Sequence, residues 1–249
     1  MRAIILEYYK LRRRRVWAML TLFLAAELGW AAVSMSISIS RSASNASWEA
    51  LIFSLSSMNG LFLPILTAIV ISRICDMEHK GDTWKMLMTT PAGRRSVYAA
   101  KYICAVNLVL YGILAQAVFI IGFGMLHKLE SPLPLGLLLQ FTAGTLVASL
   151  LVAAMQQWVS LAVKNQAFAL CLGMLGGFLG TTASLFPAAV RKAVVWSYYL
   201  DLSPVTYLYQ ASGGSYITGT IPVLQCIAAL FITVLLYTGG NAHISRQAI

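Results

Sequence analysis

The side chains that could do chemistry are few and lie far apart in the sequence. The three histidines, His79, His127 and His243, belong to different segments, and the eight acidic residues are scattered. The four cysteines have no C-x-x-C spacing. The phosphate-binding pattern G-x-x-x-x-G-K-[ST] is absent as well. We therefore predict that the chain is not an enzyme and carries no catalytic residues, no metal site and no cofactor of its own.

Three polar side chains stand out because they lie inside long apolar runs: Glu27, Asn59 and Gln116. Glu27 is eleven residues beyond Val16, where the first run begins, which places it near the middle of a bilayer. An ionised acid that faces lipid is costly, so Glu27 is expected to face protein or water. It either contacts a cationic ligand, as part of a pathway with Asn59 and Gln116, or is protonated and hydrogen-bonded between helices. The sequence leaves both open.

The composition indicates that lipid is part of the solvent. Of the 249 residues, 59% are hydrophobic and only 10% are charged, and the mean hydropathy is +0.77. A soluble domain carries about 25% charged residues. This chain cannot cover a water-facing surface with so few charges, so we predict an integral membrane protein with residues 1–249 forming a single domain.

The apolar runs are long enough to cross a bilayer, which takes about 20 residues of helix. We predict an all-α, polytopic membrane protein with six transmembrane helices, at residues 16–39, 51–72, 102–126, 135–163, 167–186 and 221–240. Residues 1–15 mix apolar and basic side chains and predict a helix lying in the membrane interface. Residues 187–220 are amphiphilic and aromatic, and predict an external segment that can dip into the membrane as short broken helices.

The distribution of basic residues predicts the orientation. Of the 18 Lys and Arg residues, four fall in the segments on one side, at Arg41, Lys128, Arg191 and Lys192, and the other 14 fall on the side of both termini. Positive charge accumulates in cytoplasmic segments, so we predict both termini in the cytoplasm of a multi-pass protein of the cell membrane. The net charge of +10 then reflects anionic lipid as a partner, and not nucleic acid.

The predicted cytoplasmic segment, residues 73–101, is too patterned to be a simple turn. On a helix, Trp84, Leu87 and Met88 share a face with Met77, at offsets of 7, 10 and 11 residues. A basic amphipathic helix of this kind suits docking into the groove of a partner protein. It also suits a helix that lies on its own membrane surface, and the spacing does not decide between the two.

The fifth predicted span carries two overlapping G-x-x-x-G patterns, Gly173 with Gly177 and Gly176 with Gly180. Small residues at this spacing allow two helices to approach closely. The partner helix could belong to the same chain or to a second copy, so these glycines predict either internal packing or a dimer interface.

The segment after the second span also resembles a family pattern, that of the permeases of the second type of ABC exporter. Its positions are occupied here by Glu78, Gly81, Trp84, Leu87, Pro91, Arg94, Arg95 and Lys101. The six-span layout, the N-terminal helix and the external segment are similar to that family over nearly the full length. With Trp84-Lys85 and Tyr98, the version here most resembles permeases of lantibiotic self-protection (immunity) transporters.

This resemblance implies a function and a set of partners. Such permeases pair with a second permease, the same or different, and a separate dimeric ABC ATPase binds ATP and Mg. They sit in the bacterial cytoplasmic membrane and expel antimicrobial peptides. The segment with Met77, Glu78, Gly81, Trp84, Leu87 and Met88 would be the coupling helix in a cleft of the ATPase, with Trp84 as anchor. Bacitracin or another lipophilic compound is an alternative cargo, and a proton-coupled secondary transporter using Glu27 is an alternative mechanism.

Overall fold

The structure is a computed structural model that describes residues 2–13, 15–80, 94–129, 131–163, 165–210 and 213–246. Its helices are α1 (Arg2–Arg13), α2 (Val16–Arg41), α3 (Trp48–Lys80), α4 (Arg94–Leu126), α5 (Leu135–Ala162), α6 (Gln166–Thr181), α7 (Ala188–Ala193), α8 (Tyr198–Asp201) and α9 (Val223–Arg246). Strands β1 (Val205–Gln210) and β2 (Gly213–Thr218) form an antiparallel hairpin between α8 and α9.

The predicted α-helical membrane fold is confirmed, with one difference in helix length. Within the described residues, α2, α3, α4, α5 and α9 are long and apolar enough to cross a membrane. The predicted fifth span corresponds to α6, which has only 16 residues and is therefore about 24 Å long. It ends at Thr181, five residues before the predicted boundary, and a short 3₁₀ turn at Ala183–Leu185 follows it.

The two helices around the predicted cytoplasmic segment are longer than the sequence indicated. α3 continues to Lys80, past its predicted end at residue 72, and α4 begins at Arg94, before its predicted start at residue 102. No glycine or proline occurs between Pro64 and Gly81, so the helical hydrogen bonding continues beyond the apolar stretch. The connection reduces to residues 81–93, which lie outside the described residues.

α1 packs against α4 through one face and leaves an apolar face uncovered. Glu7 and Leu11 are buried, whereas Ile5, Leu6 and Tyr9 are exposed. Arg15 has a φ of 53°, in the left-handed region, and marks a sharp bend from α1 into α2. An exposed apolar face beside basic residues suits the interfacial position expected for this helix.

Both ends of the chain lie at the same end of the bundle, which we call the α1 end. The Arg94 guanidinium, at the start of α4, donates to the Ser245 carbonyl near the end of α9, at 2.9 Å. At the opposite end, which we call the hairpin end, the Trp48 indole donates to the Ser131 carbonyl at 2.8 Å. Because the chain starts and ends at the same end of the bundle, it must pass from one end to the other an even number of times.

The close contact between α3 and α6 is built on glycine. A Cβ at Gly177 would lie 2.7 Å from the Leu61 carbonyl oxygen, and one at Gly180 would lie 2.6 Å from the Gly60 carbonyl oxygen. A Cβ at Gly173 would overlap the Cβ of Ala68. The absence of side chains on this face of α6 lets the two backbones touch.

The segment at residues 187–220 folds back into the hairpin end. α7 and α8 are short and broken, as expected, and Ser197 between them is fully buried. The Arg191 guanidinium pairs with the Asp201 carboxylate at 2.8 Å and closes this turn. The β-hairpin that follows was not predicted, because Val205–Gln210 is short and has Tyr207, Leu208 and Tyr209 in a row, so it lacks the alternation that indicates a strand.

We predict that Gly177→Ala destabilises the protein, because its Cβ would press on the backbone of Leu61 and separate α3 from α6. Overpacking of this kind costs about 1–3 kcal/mol. Thermal unfolding of the detergent-purified protein should show a lower midpoint. Gly29→Ala is the matched control, since a Cβ there meets no atom within 4 Å. Equal midpoints for the two variants would contradict the close α3–α6 contact.

Candidate functional site: a polar cluster inside the bundle

Glu27 lies in the interior of the bundle, on α2. Its side chain is 0% exposed, and it occupies the twelfth position of a helix of 26 residues. At about 1.5 Å per residue, it is roughly 17 Å from the start of α2. This places a carboxyl group near the middle of the membrane, facing protein and shielded from lipid.

Two amide side chains hold Glu27 in place. The Gln116 Nε2 group, on α4, donates to Glu27 Oε1 at 2.8 Å and to Asn59 Oδ1, on α3, at 2.7 Å. Asn59 Nδ2 donates back to Gln116 Oε1 at 3.1 Å. All three side chains are fully buried. The structure thus brings together the three polar residues that the sequence selected, at the meeting point of α2, α3 and α4.

One oxygen of this cluster lacks a partner. Glu27 Oε2 is buried and accepts no hydrogen bond from the described residues. Both hydrogens of the Gln116 amide are already used. An ionised Glu27 therefore needs another donor or cation, and a protonated one needs an acceptor for its hydrogen. In either state Glu27 Oε2 can form a hydrogen bond or an ion pair with one more polar group.

A second pair of polar groups also lies at the middle of a long helix. The Tyr199 hydroxyl, from α8, is 3.1 Å from the Ser149 hydroxyl, and both residues are buried. Ser149 is fourteen residues beyond Leu135 in the 28-residue helix α5, so Tyr199 reaches the middle of the bundle. The sequence placed this tyrosine at the membrane interface, and the structure places it deeper.

Three other glutamines of the spans connect helices. Gln156 Nε2 donates to the Ala169 carbonyl at 2.6 Å, and Gln157 Nε2 donates to the Tyr98 carbonyl at 2.9 Å. Gln140 Oε1 accepts from the Ile221 amide at 3.2 Å. These side chains satisfy backbone groups near helix ends or between neighbouring helices, which is a structural role.

The residues predicted to contact an ATPase are only partly within the described residues. Met77 and Glu78 lie in the last turn of α3. Gly81, Trp84, Leu87 and Met88 lie outside the described residues. The coupling helix therefore stays a prediction from the sequence.

The four glycines of α6 face the interior of this chain. Gly173, Gly177 and Gly180 contact α3, and Gly176 lies under the indole of Trp196. All four are buried. Other side chains of α6 are exposed, among them Phe168, Leu175 and Phe178. A contact with a second permease stays a prediction, and it would have to use side chains other than these glycines.

Two charged residues that the sequence did not select as a site form a buried pair at the α1 end. Glu7 of α1 and Lys101 of α4 are both buried, and Lys101 Nζ lies 3.1 Å from Glu7 Oε2. A sequence signal for Glu7 exists, since it is the only acid before Glu27 in a segment rich in arginine. Lys101 was noted only as a family position.

The described residues contain no group of three or more His, Cys, Asp or Glu side chains placed to hold a metal ion. Two of the histidines have other contacts. The His127 ring stacks on Phe123, with centroids 4.0 Å apart. His243 Nδ1 accepts from the Trp158 indole at 3.0 Å. The His127 ring therefore packs on the end of α4, and His243 connects α9 to α5.

Comparison with known protein families identifies the family to which the chain belongs. A family profile described as "ABC-2 family transporter protein" matches residues 3–180, which run from α1 into the last turn of α6. No curated protein matches the chain. The match covers well over half of the sequence and includes the polar cluster and both members of the buried ion pair. The chain therefore belongs to the ABC-2 family of transporter membrane proteins.

Proposed function

We propose that this permease expels a cationic, amphipathic antimicrobial peptide from the membrane, as lantibiotic self-protection transporters do. Membership of the ABC-2 family makes the chain a transport subunit without a catalytic domain, and ATP is hydrolysed by partner ABC ATPase subunits. The proposal concerns the cargo, the route and the orientation, with both termini in the cytoplasm.

The observation that carries the proposal is the buried, incompletely bonded carboxyl of Glu27. It sits in the middle of the bundle, and its Oε2 has no hydrogen-bond partner in the described residues. A Lys side chain or amino terminus of a peptide would supply both a positive charge and hydrogen-bond donors. Asn59 and Gln116 would hold the carboxylate in position while it does so.

The position of α2 suits a role in the pathway. Only 28% of the most apolar 18-residue stretch of α2 is buried within the chain, against 67% for the corresponding stretch of α3. Leu22, Trp30 and Val33 of α2 are exposed to lipid or to a second permease. We propose that α2 and the exposed side of α6 line the contact between two permeases. A shift of α2 would then open Glu27 toward this contact.

Energy would enter through the segment that connects α3 and α4. Met77 and Glu78 lie in the last turn of α3, and an amphipathic helix would continue from there through Gly81 to residue 88. Its apolar face, with Met77, Trp84, Leu87 and Met88, would dock into the ATPase. ATP binding would bias the permease between two conformations, and the cargo would be released outward from the second.

We predict that Glu27→Gln weakens protection against cationic peptides by about tenfold, which corresponds to about 1.4 kcal/mol of lost binding. Glutamine keeps the shape of the side chain and its bond with Gln116 but removes the negative charge. The measurement is the inhibitory concentration of a lantibiotic for cells that carry the whole transporter. Glu49→Gln, the same change outside the cluster, should leave protection intact.

The charge of the cargo gives an independent control. A peptide with acetylated amines should be exported equally by the wild-type protein and by Glu27→Gln. If Glu27→Gln protects cells from the unmodified peptide as well as the wild type does, the pathway role is wrong. Protection against bacitracin alone, with none against cationic peptides, would identify the other cargo class.

We predict that Trp84→Asp releases the ATPase. Burial of a tryptophan anchor at an interface contributes more than about 2 kcal/mol, so binding should weaken by more than about tenfold. Co-purification of the ATPase with the tagged permease measures this loss. Trp84→Phe keeps an aromatic ring and should retain the partner. Undiminished co-purification and transport in Trp84→Asp would exclude the docking role.

A further inference from the structure

A buried ion pair joins three elements at the α1 end. Lys101, on α4, is 1% exposed, and Glu7, on α1, is 3% exposed. Lys101 Nζ donates to Glu7 Oε2 at 3.1 Å and to the Ile74 carbonyl of α3 at 3.2 Å. Lys10 Nζ, on α1 itself, donates to Glu7 Oε1 at 2.9 Å. One ammonium group therefore holds α1, α3 and α4 together.

The pair lies at the base of the connection between α3 and α4. Ile74 is six residues before Lys80, where α3 ends, and Lys101 is seven residues after Arg94, where α4 begins. At about 1.5 Å per residue, both are roughly 10 Å from residues 81–93 along their helices. A displacement of that connection would reach the Lys101 ammonium through both helices.

Packing alone does not require these charges. Desolvating a Lys and a Glu is costly, and apolar side chains of similar volume in place of such a pair often leave stability unchanged or higher. What the pair does provide is a directional contact. The bonds from Lys101 to Glu7 and to the Ile74 carbonyl fix α1 in one position relative to α3 and α4, which an apolar contact between the same helices would define less strictly.

α1 leads directly into the helix that carries the polar cluster. Arg15, with its φ of 53°, is the bend between α1 and α2, and Glu27 lies beyond it on α2. The Asn107 amide donates to the Tyr8 hydroxyl at 2.7 Å and ties the same face of α1 to α4. Moving α1 with α4 would therefore pull on the start of α2.

We propose that Glu7 and Lys101 form a positioning pair that transmits movement of the α3–α4 connection through α1 to α2. The inference rests on the proposed role of that connection in receiving force from the ATPase, and it adds the route by which the force reaches α2. The pair itself contacts neither cargo nor nucleotide. Its effect is on the coupling between ATP binding and the position of α2.

The experiment first separates this role from a purely stabilising one. Glu7→Gln removes the carboxylate that faces the buried Lys101 ammonium, and Lys101→Met leaves the buried Glu7 with the Lys10 contact but without the Lys101 contact. Both variants should lower the thermal unfolding midpoint of the permease–ATPase complex. The double variant Glu7→Gln/Lys101→Met removes both charges and should recover most of that midpoint. Lys10→Met is the control, since it removes an ion pair of Glu7 that lies within α1 alone.

The movement of α2 is then measured directly in the whole complex in lipid nanodiscs. Spin labels are attached at Leu22 of α2 and Leu235 of α9, both exposed, after Cys171 and Cys226 are replaced by serine. The distance between the labels is compared without nucleotide and with ATP, Mg and vanadate. We expect a shift in the wild type and in Lys10→Met. In the double variant we expect the shift to be lost while ATP hydrolysis continues.

The outcomes distinguish the alternatives. A double variant that folds and shows the full wild-type shift would overturn the inference, since the pair would then only stabilise the fold. A wild-type complex in which the α2–α9 distance ignores ATP would overturn it too. Neither result bears on the cargo proposal, which depends on peptide protection by Glu27, or on ATPase docking, which depends on co-purification.

Discussion

The interior of a bilayer offers no water, so every polar group placed there has to find its partner within the protein. The structure meets this constraint in the bundle through side chains that cross between helices. Gln156 and Gln157 bond to backbone carbonyls of other helices, and Asn59 and Gln116 bond to each other. Among the described residues, Glu27 Oε2 lacks a hydrogen-bond partner, as do several other buried side-chain atoms such as Gln156 Oε1 and Gln157 Oε1. Of these atoms in the described residues, only Glu27 Oε2 belongs to a carboxyl group, so it is the one at which a cationic ligand would find a negatively charged partner.

The same solvent also makes close packing depend on small side chains. Lipid supplies no hydrophobic force between helices, so backbones have to approach each other for dispersion forces to hold them. The glycine face of α6 does this against α3, with Gly177 and Gly180 against backbone oxygens. α6 can be short because its far end is continued by the segment that folds back, where the Trp196 indole covers Gly176. Tyr199 then carries a hydroxyl to Ser149, near the middle of α5.

Glu7 and Glu27, the two buried acids of α1 and α2, have different hydrogen-bond partners. This difference suits them to different roles. Glu7 has two lysine partners and is fully engaged at the α1 end. Glu27 has one amide donor and an unused oxygen. An acid with cationic partners fixes the arrangement of helices, whereas one without them can accept a charge from outside the chain. The bend at Arg15 joins α1, which carries Glu7, to α2, which carries Glu27. The position at which the Glu7–Lys101 contact holds α1 can therefore affect the exposure of Glu27.

The sequence by itself determined that the protein lies in lipid, that its fold is helical, and that Glu27, Asn59 and Gln116 are the polar residues of its candidate site. Long apolar runs allow only helices in lipid, and an acid such as Glu27 within a run is conspicuous without coordinates. The ends of α3 and α4 were missed because helical hydrogen bonding does not stop where hydrophobicity does. Only the tertiary structure decided which groups meet: that Gly173, Gly177 and Gly180 face α3, that Tyr199 reaches Ser149, and that Glu7 meets Lys101, 94 residues away. Pairing over such separations depends on how helices are arranged around one another, and periodicity along a single helix carries no information about its neighbours.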